Sequence, residues 1–269
     1  YWCIVLKKYN FMQVERIASH IKSWLVDYLN KSNLNGFVVG VSGGVDSALT
    51  ATLAASTGFP TLLLNMPIFQ ADSHIKRSDK QIAQLKNEFN NVSGAKIDLS
   101  DPFRVFKNQL PSSVQDELSM ANARARIRMT TLYAFASSHN YLVAGTGNKV
   151  EDFGVGFYTK YGDGGVDISP IADLLKSEVF QLAKHLNVIQ EILEAKPTDG
   201  LWGDDRSDED QIGASYDELE WAMQHISSPQ THLFSERQKE VLKIYSQLNK
   251  ANKHKMLPIP VCEIPDEFR

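Results

Sequence analysis

The decisive stretch of this sequence is Gly40-Val41-Ser42-Gly43-Gly44-Val45-Asp46-Ser47. It follows an apolar run at 37–39 and precedes a helix-like run at 48–55. A strand, a glycine turn and a helix start favour anion binding, because backbone N–H groups at a helix N-terminus carry partial positive charge. Glycines allow a close approach of the backbone, serines add hydroxyl donors, and Asp46 offers a carboxylate to a bridging divalent cation. The stretch therefore predicts a phosphate-binding loop.

Two common phosphate loops do not fit this stretch. A Walker A loop needs a lysine after its glycines, and none follows here. A dinucleotide fingerprint needs a third glycine, where Ala48 or Leu49 stands. The remaining pattern, Ser-Gly-Gly-Val-Asp-Ser, resembles the pyrophosphate loop of the ATP pyrophosphatases, which adenylate a carboxylate or carbonyl and release pyrophosphate. The alternative is an ordinary turn between a strand and a helix, which does not require this combination of residues.

Composition narrows the class of protein. The 269 residues are 43% apolar and carry a formal net charge of −4, which argues against bulk nucleic-acid binding. Cys3 and Cys262 are the two cysteines, which predicts a reducing, cytoplasmic location. No apolar run reaches 18 residues, so no membrane span or membrane partner is expected. Residues 1–11 lack the order of a signal peptide, and Met12 is an alternative start that would make them an extension.

Apolar runs and helical spacing alternate along the chain. The predicted strands cover 37–41, 61–66, 95–99 and 141–146, and the predicted helices cover 13–29, 48–55, 72–89, 116–138, 176–186, 189–193, a stretch from 216 and 235–250. This alternation predicts an α/β fold, a doubly wound, mostly parallel sheet with helices on both faces, in one domain over 12–269. Ligands of such sheets bind beyond the carboxyl ends of the strands, which is where the phosphate loop and Gly145-Thr146 lie.

Several further stretches carry polar residues suited to a site. Residues 147–167 combine glycines, acidic residues, aromatics and Lys160, which is typical of a site loop held by aromatic packing. Residues 197–210 are acidic and include Trp202, and we expect a mobile loop there that covers a ligand. Arg77 and Gln81 are either a solvated face or an ATP-facing pair. Likewise, the arginines at 124, 126 and 128 are either surface charge or anion ligands.

The order of the motifs resembles that of ammonia-dependent NAD+ synthetases from about Met12 onward. The motifs that carry the resemblance are 42–47, Gly145-Thr146, Phe157-Tyr158-Thr159-Lys160-Tyr161-Gly162-Asp163-Gly164-Gly165, Lys176, Pro197-Thr198 and His254-Lys255. The resemblance implies the adenine-nucleotide alpha-hydrolase type of fold. It also implies ATP-dependent amidation of deamido-NAD+ (nicotinic acid adenine dinucleotide) with ammonia, which gives NAD+, AMP and pyrophosphate, and a homodimer.

The resemblance also assigns roles to residues. Asp46, Lys176 and Asp167 are the implied catalytic groups, and Asp46 and Glu151 the implied Mg²⁺ ligands. The implied ATP contacts are Gly40, Val41, Ser42, Gly43, Gly44, Val45, Asp46, Ser47, Thr146, Lys176 and Thr198. The implied deamido-NAD+ contacts are Arg126, Lys160, Asp167, His254 and Lys255. The interval between Thr146 and Lys160 is one residue longer than the family pattern, so counting back from Lys160 places Asp152 at the metal position. The forward count and the longer side chain favour Glu151.

The implied chemistry agrees with these residue types. Adenylation converts a carboxylate oxygen into a leaving group that ammonia displaces, and cationic groups are needed as pyrophosphate departs. Asp163 or Asp167 is the candidate acceptor of a proton from ammonium. The alternatives are another ATP pyrophosphatase, such as a GMP synthetase or a tRNA-modifying ligase, and a non-catalytic nucleotide-binding module. The last would not need Asp46, Glu151, Lys160 and Lys176 together.

Overall fold

The computed structural model describes residues 12–198, 207–228 and 231–269. The strands are β1 (Gly36–Gly40), β2 (Thr61–Asn65), β3 (Val92–Lys96) and β4 (Tyr141–Val143). The helices are α1 (Val14–Ser32), α2 (Val45–Ser56), α3 (Asp72–Glu88), α4 (Ser100–Asn108), α5 (Glu117–His139), α6 (Lys176–His185), α7 (Gln190–Leu193), α8 (Asp208–Ile212), α9 (Tyr216–His225) and α10 (Glu236–Met256). A turn of π-helix, Val150–Val155, follows β4 and is called the π turn below.

The four strands form a parallel sheet in the order β3-β2-β1-β4. Val38 of β1 lies between Leu62 of β2 and Val143 of β4, and all three are buried. After β1 the chain forms β2 and β3 on one side of β1, and it later forms β4 on the other side of β1. The carboxyl ends of β1 and β4 therefore border the crevice where ligands of open parallel sheets bind.

Helices cover both faces of the sheet, as the alternating elements predicted. Phe37 and Val39 of β1 face an apolar core that includes residues of α1, α2, α3 and α6. Val38 and Leu64 face the opposite core, to which α4 and α5 contribute Phe103 and Met120. A third apolar cluster joins the π turn to α9 and α10, so it fixes the segment that carries Glu151. The predicted fold class is confirmed.

The predicted boundaries were wrong at four places. The third strand begins at Val92 rather than residue 95, because Val92 to Lys96 pair with β2. The fourth ends at Val143, after which Gly145 N bonds Ile168 O. Helix α2 begins at Val45, three residues early, so Asp46 lies in its first turn. Helix α10 continues to Met256, so it includes the residues predicted as a basic cluster after the helix.

Other expectations fall on residues without a description. Trp202 and most of the expected mobile loop lie outside the described residues, as do Cys3 and the candidate extension 1–11. Among the helices that the structure describes, none is long and apolar enough to cross a membrane.

Candidate active site

The phosphate loop is a tight turn between β1 and α2. Gly43 has a φ of +87°, and a Cβ there would lie 2.7 Å from His74 O, so the position favours glycine. Ser47 Oγ donates to Gly44 O at 3.0 Å and accepts from Ser42 N at 3.1 Å, which ties the loop to itself. The loop leads into the N-terminus of α2, whose free N–H groups suit an anion.

This loop borders a cavity of about 720 Å³. All eight of its residues, 40–47, line the cavity, together with the predicted ATP contacts Thr146, Lys176 and Thr198. Arg77 lines it too, and its Nε donates to Gly43 O at 3.2 Å. Gln81 is fully buried between Thr52 Oγ1 and Ile189 N. The two residues that the sequence left open therefore differ, since Arg77 faces the loop and Gln81 packs in the core.

Three charged side chains meet at the cavity wall. Lys176 Nζ lies 2.6 Å from Asp46 Oδ2 and 2.9 Å from Glu151 Oε1. Lys176 is the first residue of α6 and is only 3% exposed. The structure thus brings together residues separated by 130 and 25 positions in the sequence. Buried charges require such pairing, because removing them from water is costly.

Burial and pairing act on these groups in opposite directions. Burial tends to lower the pKa of Lys176, but the two carboxylates outweigh it and raise that pKa above its usual value. Burial, together with the charge of Glu151, raises the pKa of Asp46. Burial also opposes ionisation of Glu151, but Lys176 and Tyr216 lower its pKa overall. Lys176 therefore remains a cation and Glu151 remains the anion that balances it.

Two residues that the sequence analysis missed hold this cluster. Asn148 is fully buried, and its Nδ2 donates to Asp46 Oδ1 at 2.9 Å while its Oδ1 accepts from the N–H groups of Val150 and Glu151. Tyr216 donates from its hydroxyl to Glu151 Oε1 at 2.6 Å. The sequence shows an amide side chain two residues beyond Thr146, in the stretch predicted as a site loop, but it does not show that Asn148 is buried. Nothing in the sequence indicated that Tyr216 packs here.

The structure brings Glu151, and not Asp152, to Asp46. Asp152 is absent from the cavity lining, and its carboxylate packs against Gly147, where a Cβ would lie 2.2 Å from Oδ2. Glu151 and Asp152 are consecutive residues of the π turn, yet only Glu151 lines the cavity. Burial and the charges of Glu151, Asp163 and Asp46 raise the pKa of Asp152 to about 8.

The glycine-rich stretch contributes Asp163 to the cavity. Its carboxylate accepts from Thr159 N at 3.0 Å, and burial raises its pKa. Lys255 also lines the cavity and donates to Gly156 O and Tyr158 O at 2.9 and 2.8 Å. Helix α10 thus holds the segment after the π turn in place, with Asn252 donating to Val155 O.

The other predicted dinucleotide contacts lie outside the cavity lining. Arg126 donates to Lys160 O, and Lys160 Nζ donates to His254 O at 2.8 Å, so these three form a connected basic strip. Asp167 lies elsewhere, in a shallow depression with Trp24 and Phe153. Its carboxylate accepts from Tyr133 Oη and Val143 N, both at 2.8 Å.

The neighbouring arginines differ from Arg126. Arg128 lines the cavity and donates to Met66 O, whereas Arg124 lies over the ring of Phe103.

The donor set at Asp46 and Glu151 fits a magnesium ion. Mg²⁺ is commonly bound by one or two carboxylates and completed by waters and substrate phosphates. Both carboxylates already share one cation, the Lys176 ammonium. Within the described ranges, no group of three or more His, Cys, Asp or Glu side chains has a metal-binding arrangement. An ion here would therefore depend on a bound phosphate for its remaining ligands.

The chain is similar to known proteins over most of its length. A family model described as NAD synthase matches residues 17–258. The NH3-dependent NAD+ synthetase of Mycoplasma genitalium is 40% identical over 236 residues, 84% of this chain and 88% of that protein. That of Mycoplasma pneumoniae is 39% identical over 205 residues, 75% and 79% of the two chains.

Two solved structures have a similar fold over most of this chain. The NMN synthetase from Francisella tularensis superposes with a TM-score of 0.82 at 31% identity, over 94% of this chain and 98% of that chain. The NH3-dependent NAD synthetase from Campylobacter jejuni gives a TM-score of 0.76 at 25% identity, over 94% and 100%. The resemblance drawn from the motifs is thereby confirmed, and the chain belongs to the NAD synthase family.

Proposed function

We propose that this protein converts deamido-NAD+ to NAD+ with ATP and ammonia, through an adenylated carboxylate. The observation that carries the proposal is the cluster of Asp46, Lys176 and Glu151 beside the phosphate loop, within one cavity. This arrangement offers N–H donors, a buried cation and two carboxylates to a triphosphate. Membership of the NAD synthase family supports the identity of the substrates.

In the first step, the residues around the loop bind and orient the triphosphate. The N–H groups at the start of α2 and the hydroxyl of Ser42 are the proposed donors, while Ser47 Oγ donates to Gly44 O and keeps the loop in shape. Asp46 and Glu151 would hold Mg²⁺, which neutralises phosphate charge when bound. With both carboxylates engaged in that way, the Lys176 ammonium would be available to bind a phosphate oxygen. Thr146 and Thr198 complete the proposed ATP contacts.

In the second step, ammonia attacks the adenylated carboxyl group and AMP leaves. Ammonium predominates at neutral pH, so a base must take up its proton. The position of Asp163 in the cavity lining supports this role, and burial raises its pKa, which makes its carboxylate a stronger base. Asp167, the other candidate, is already bound by Tyr133 and Val143 outside the cavity lining. We therefore propose Asp163 as the proton acceptor and Asp167 as a dinucleotide contact.

The direct test is pyrophosphate release by the purified protein with ATP, Mg²⁺ and ammonium. We expect release that depends on deamido-NAD+, with NAD+ and AMP formed in equal amounts. XMP and unmodified tRNA serve as control substrates for the related ATP pyrophosphatases. Release with XMP or tRNA, and none with deamido-NAD+, would contradict the proposal.

A second candidate reaction is amidation of the corresponding mononucleotide, which gives NMN. It is favoured by the similarity to the NMN synthetase from Francisella tularensis. Both reactions use the same nicotinic acid carboxylate, so the phosphate loop does not discriminate between them. The strip of Arg126, Lys160 and His254 supports the dinucleotide, because the Arg126 and Lys160 cations lie beyond the cavity lining, where a longer, pyrophosphate-bearing substrate would reach them.

Arg126→Ala and Lys160→Ala test this discrimination. If the strip binds the dinucleotide, each variant loses a charge-assisted contact of roughly 1.5–3 kcal/mol, so KM for deamido-NAD+ should rise roughly 10- to 150-fold. KM for ATP and for the mononucleotide should stay near the wild-type values. Arg104→Ala, which removes an exposed arginine paired with Asp101, is the control. An equal rise of KM for ATP would assign the strip to the nucleotide triphosphate instead.

We also propose that the protein is a homodimer with the dinucleotide near the subunit interface. Two observations support it. Asp167 lies apart from the cavity, and the depression that holds it is bordered by the exposed rings of Trp24, Tyr28 and Phe153. A partner subunit over this depression would bury those rings. A monomer mass in sedimentation equilibrium, with and without deamido-NAD+, would contradict this.

A further inference from the structure

Tyr216 lies where the charged cluster meets the helices of the third apolar cluster. It is the first residue of α9 and is 5% exposed. Its hydroxyl lies 2.6 Å from Glu151 Oε1 and 3.2 Å from Asp208 Oδ2. Its ring lies beneath Lys176, with Nζ 4.7 Å from the ring centroid. One side chain therefore contacts the carboxylate and the cation of the proposed phosphate site.

The geometry orients Glu151 through a single oxygen. Both Tyr216 Oη and Lys176 Nζ bind Oε1, so the two donors together set the rotation of the carboxylate. A phenol has one proton to donate, and the shorter contact is the one to Glu151. Burial and the adjacent carboxylates raise the pKa of Tyr216, so the hydroxyl keeps that proton.

Tyr216 acts on the cavity without lining it. Glu151, Lys176 and Asp208 line the cavity, and Tyr216 does not. Asp208 N donates to Pro197 O at 3.1 Å, next to Thr198. Tyr216 thus packs behind the cavity lining, between the Glu151 carboxylate and Asp208, which binds the segment at Pro197.

We propose that Tyr216 is a positioning residue for the phosphate end of the reaction. Its hydroxyl holds Glu151 in the orientation that a metal·ATP complex requires, and its ring stabilises the Lys176 ammonium by a cation–π contact. The proposal rests on the proposed function. Partners behind metal ligands orient those ligands and tune their affinity for the metal.

The alternative is that Tyr216 only fills the apolar cluster, and Tyr245 provides the matched control. Tyr245 belongs to the same cluster, is also 5% exposed and packs against Gly154. Among the described residues, it has no hydrogen bond or ring contact with Asp46, Glu151 or Lys176. Tyr216→Phe and Tyr245→Phe each remove one buried hydroxyl and leave a ring of nearly equal volume.

The experiment measures Mn²⁺ binding in the presence of ATP by electron paramagnetic resonance of the free ion. Losing a partner of a metal ligand typically costs about 10- to 100-fold in affinity, so we expect Y216F to weaken Mn²⁺ binding about tenfold. KM for Mg·ATP should rise in parallel, and KM for deamido-NAD+ should not change. Y245F should leave all three at wild-type values. Because Mn²⁺ binding needs no turnover, it tests Tyr216 even if the wild type makes no NAD+.

A double-mutant cycle with Glu151→Gln separates positioning from packing. If Tyr216 acts through Glu151, adding Y216F to E151Q should weaken Mn²⁺ binding by less than twofold. Equal Mn²⁺ affinities in Y216F and Y245F would overturn the proposal. Fully additive effects of Y216F and E151Q on Mn²⁺ affinity would overturn it too. A Y216F protein that melts earlier than Y245F but binds Mn²⁺ normally would assign Tyr216 to packing alone.

Discussion

Lys176 is an ammonium group held between two carboxylates where solvent barely reaches. The pair that would bind a divalent cation is therefore already neutralised in part by a side chain. A metal ion bound by Asp46 and Glu151, as we propose, would compete with Lys176 for the same oxygens, and a bound triphosphate would offer Lys176 new anionic partners. Such competition would make metal binding depend on bound nucleotide. Replacing Lys176 should then strengthen metal binding without nucleotide, whereas replacing Asp46 should remove a ligand.

Lys176→Met should tighten Mn²⁺ binding in the absence of nucleotide, because it removes the competing cation. The same variant should lose turnover. Breaking a buried ion pair leaves uncompensated charge, which typically costs about 3–5 kcal/mol, so its melting temperature should fall and millimolar Mn²⁺ should restore much of the loss. Electron paramagnetic resonance and thermal melts measure both effects. Weaker Mn²⁺ binding than the wild type without nucleotide would show that Lys176 does not compete.

Asp46→Asn should abolish pyrophosphate release while the protein remains folded. Asn keeps the side-chain volume but loses the charge that faces the loop, and losing one electrostatic group in a transition state costs roughly 3–4 kcal/mol. Asp101→Asn is the control, because it breaks an exposed pair with Arg104 outside the cavity lining. Circular dichroism checks the fold. Release at a near-normal rate in D46N would rule out the metal role.

At the scale of elements, the sequence predicted what depends on local pattern. Apolar runs identified all four strands, and the glycine–serine loop placed the site at the end of β1. The predicted boundaries of helices and strands were wrong where contacts with residues distant in the sequence set them. Pairing with β2 sets the start of β3, and Asn252 and Lys255 bind carbonyls of a remote segment along an α10 longer than predicted.

The site itself was predicted in part. The glycine–serine loop itself indicated Asp46, whereas Glu151 and Lys176 came only from the resemblance to ammonia-dependent NAD+ synthetases. Their mutual contacts, and the partners Asn148 and Tyr216, could not be read from the sequence. These depend on how α6, α9 and the π turn pack, and no local periodicity encodes that packing. The π turn also separates Glu151 from Asp152, which residue counting left ambiguous.

Asp152→Asn should stabilise the protein, and increasingly so as the pH rises. Burial and nearby carboxylates raise the pKa of Asp152 to about 8, so the folded protein retains a proton that the unfolded chain releases near its ordinary carboxyl pKa. Stability is then lost as the pH rises toward 8, by at most about 1.4 kcal/mol per pH unit. Asparagine removes this loss.

Urea unfolding from pH 5 to 9 measures the effect. The advantage of D152N over the wild type should grow up to pH 8 and level off above it. Asp101→Asn, at an exposed carboxylate, should show no such trend. A pH-independent difference between D152N and the wild type would mean that Asp152 is ionised throughout. Loss of Mn²⁺ binding in D152N would instead make Asp152 a metal ligand.

At the scale of the whole molecule, the order of the strands explains where the chemistry lies. The chain reverses direction across the sheet between β1 and β4, and the loops after these strands carry the phosphate-binding residues and Thr146. The π turn, α6 and α9 then bring charged groups to the same edge. One cavity therefore holds the proposed sites for ATP phosphates, for a metal and for the proton acceptor Asp163.

The relatives of the chain indicate the nitrogen source. The similar proteins of Mycoplasma genitalium and Mycoplasma pneumoniae are NH3-dependent NAD+ synthetases, whereas using glutamine would require a cysteine nucleophile. Cys262 is exposed near the C-terminus of the sequence. We expect the 269-residue chain to use ammonia, with activity that rises with pH as free ammonia increases. KM expressed as total ammonium should fall about tenfold per pH unit below the ammonium pKa where free ammonia binds from solution, and less steeply where Asp163 deprotonates bound ammonium.

Asp163→Asn provides the decisive arm of this experiment. If Asp163 takes the proton from ammonium, D163N should still release pyrophosphate in the adenylation step but form NAD+ slowly at neutral pH. Raising the pH supplies free ammonia and should restore part of the rate, because the missing base is then less needed. NAD+ formation is measured with ammonium, and separately with glutamine freed of ammonium. Robust turnover with glutamine alone, lost in Cys3→Ser or Cys262→Ser, would overturn the assignment of ammonia as the nitrogen source.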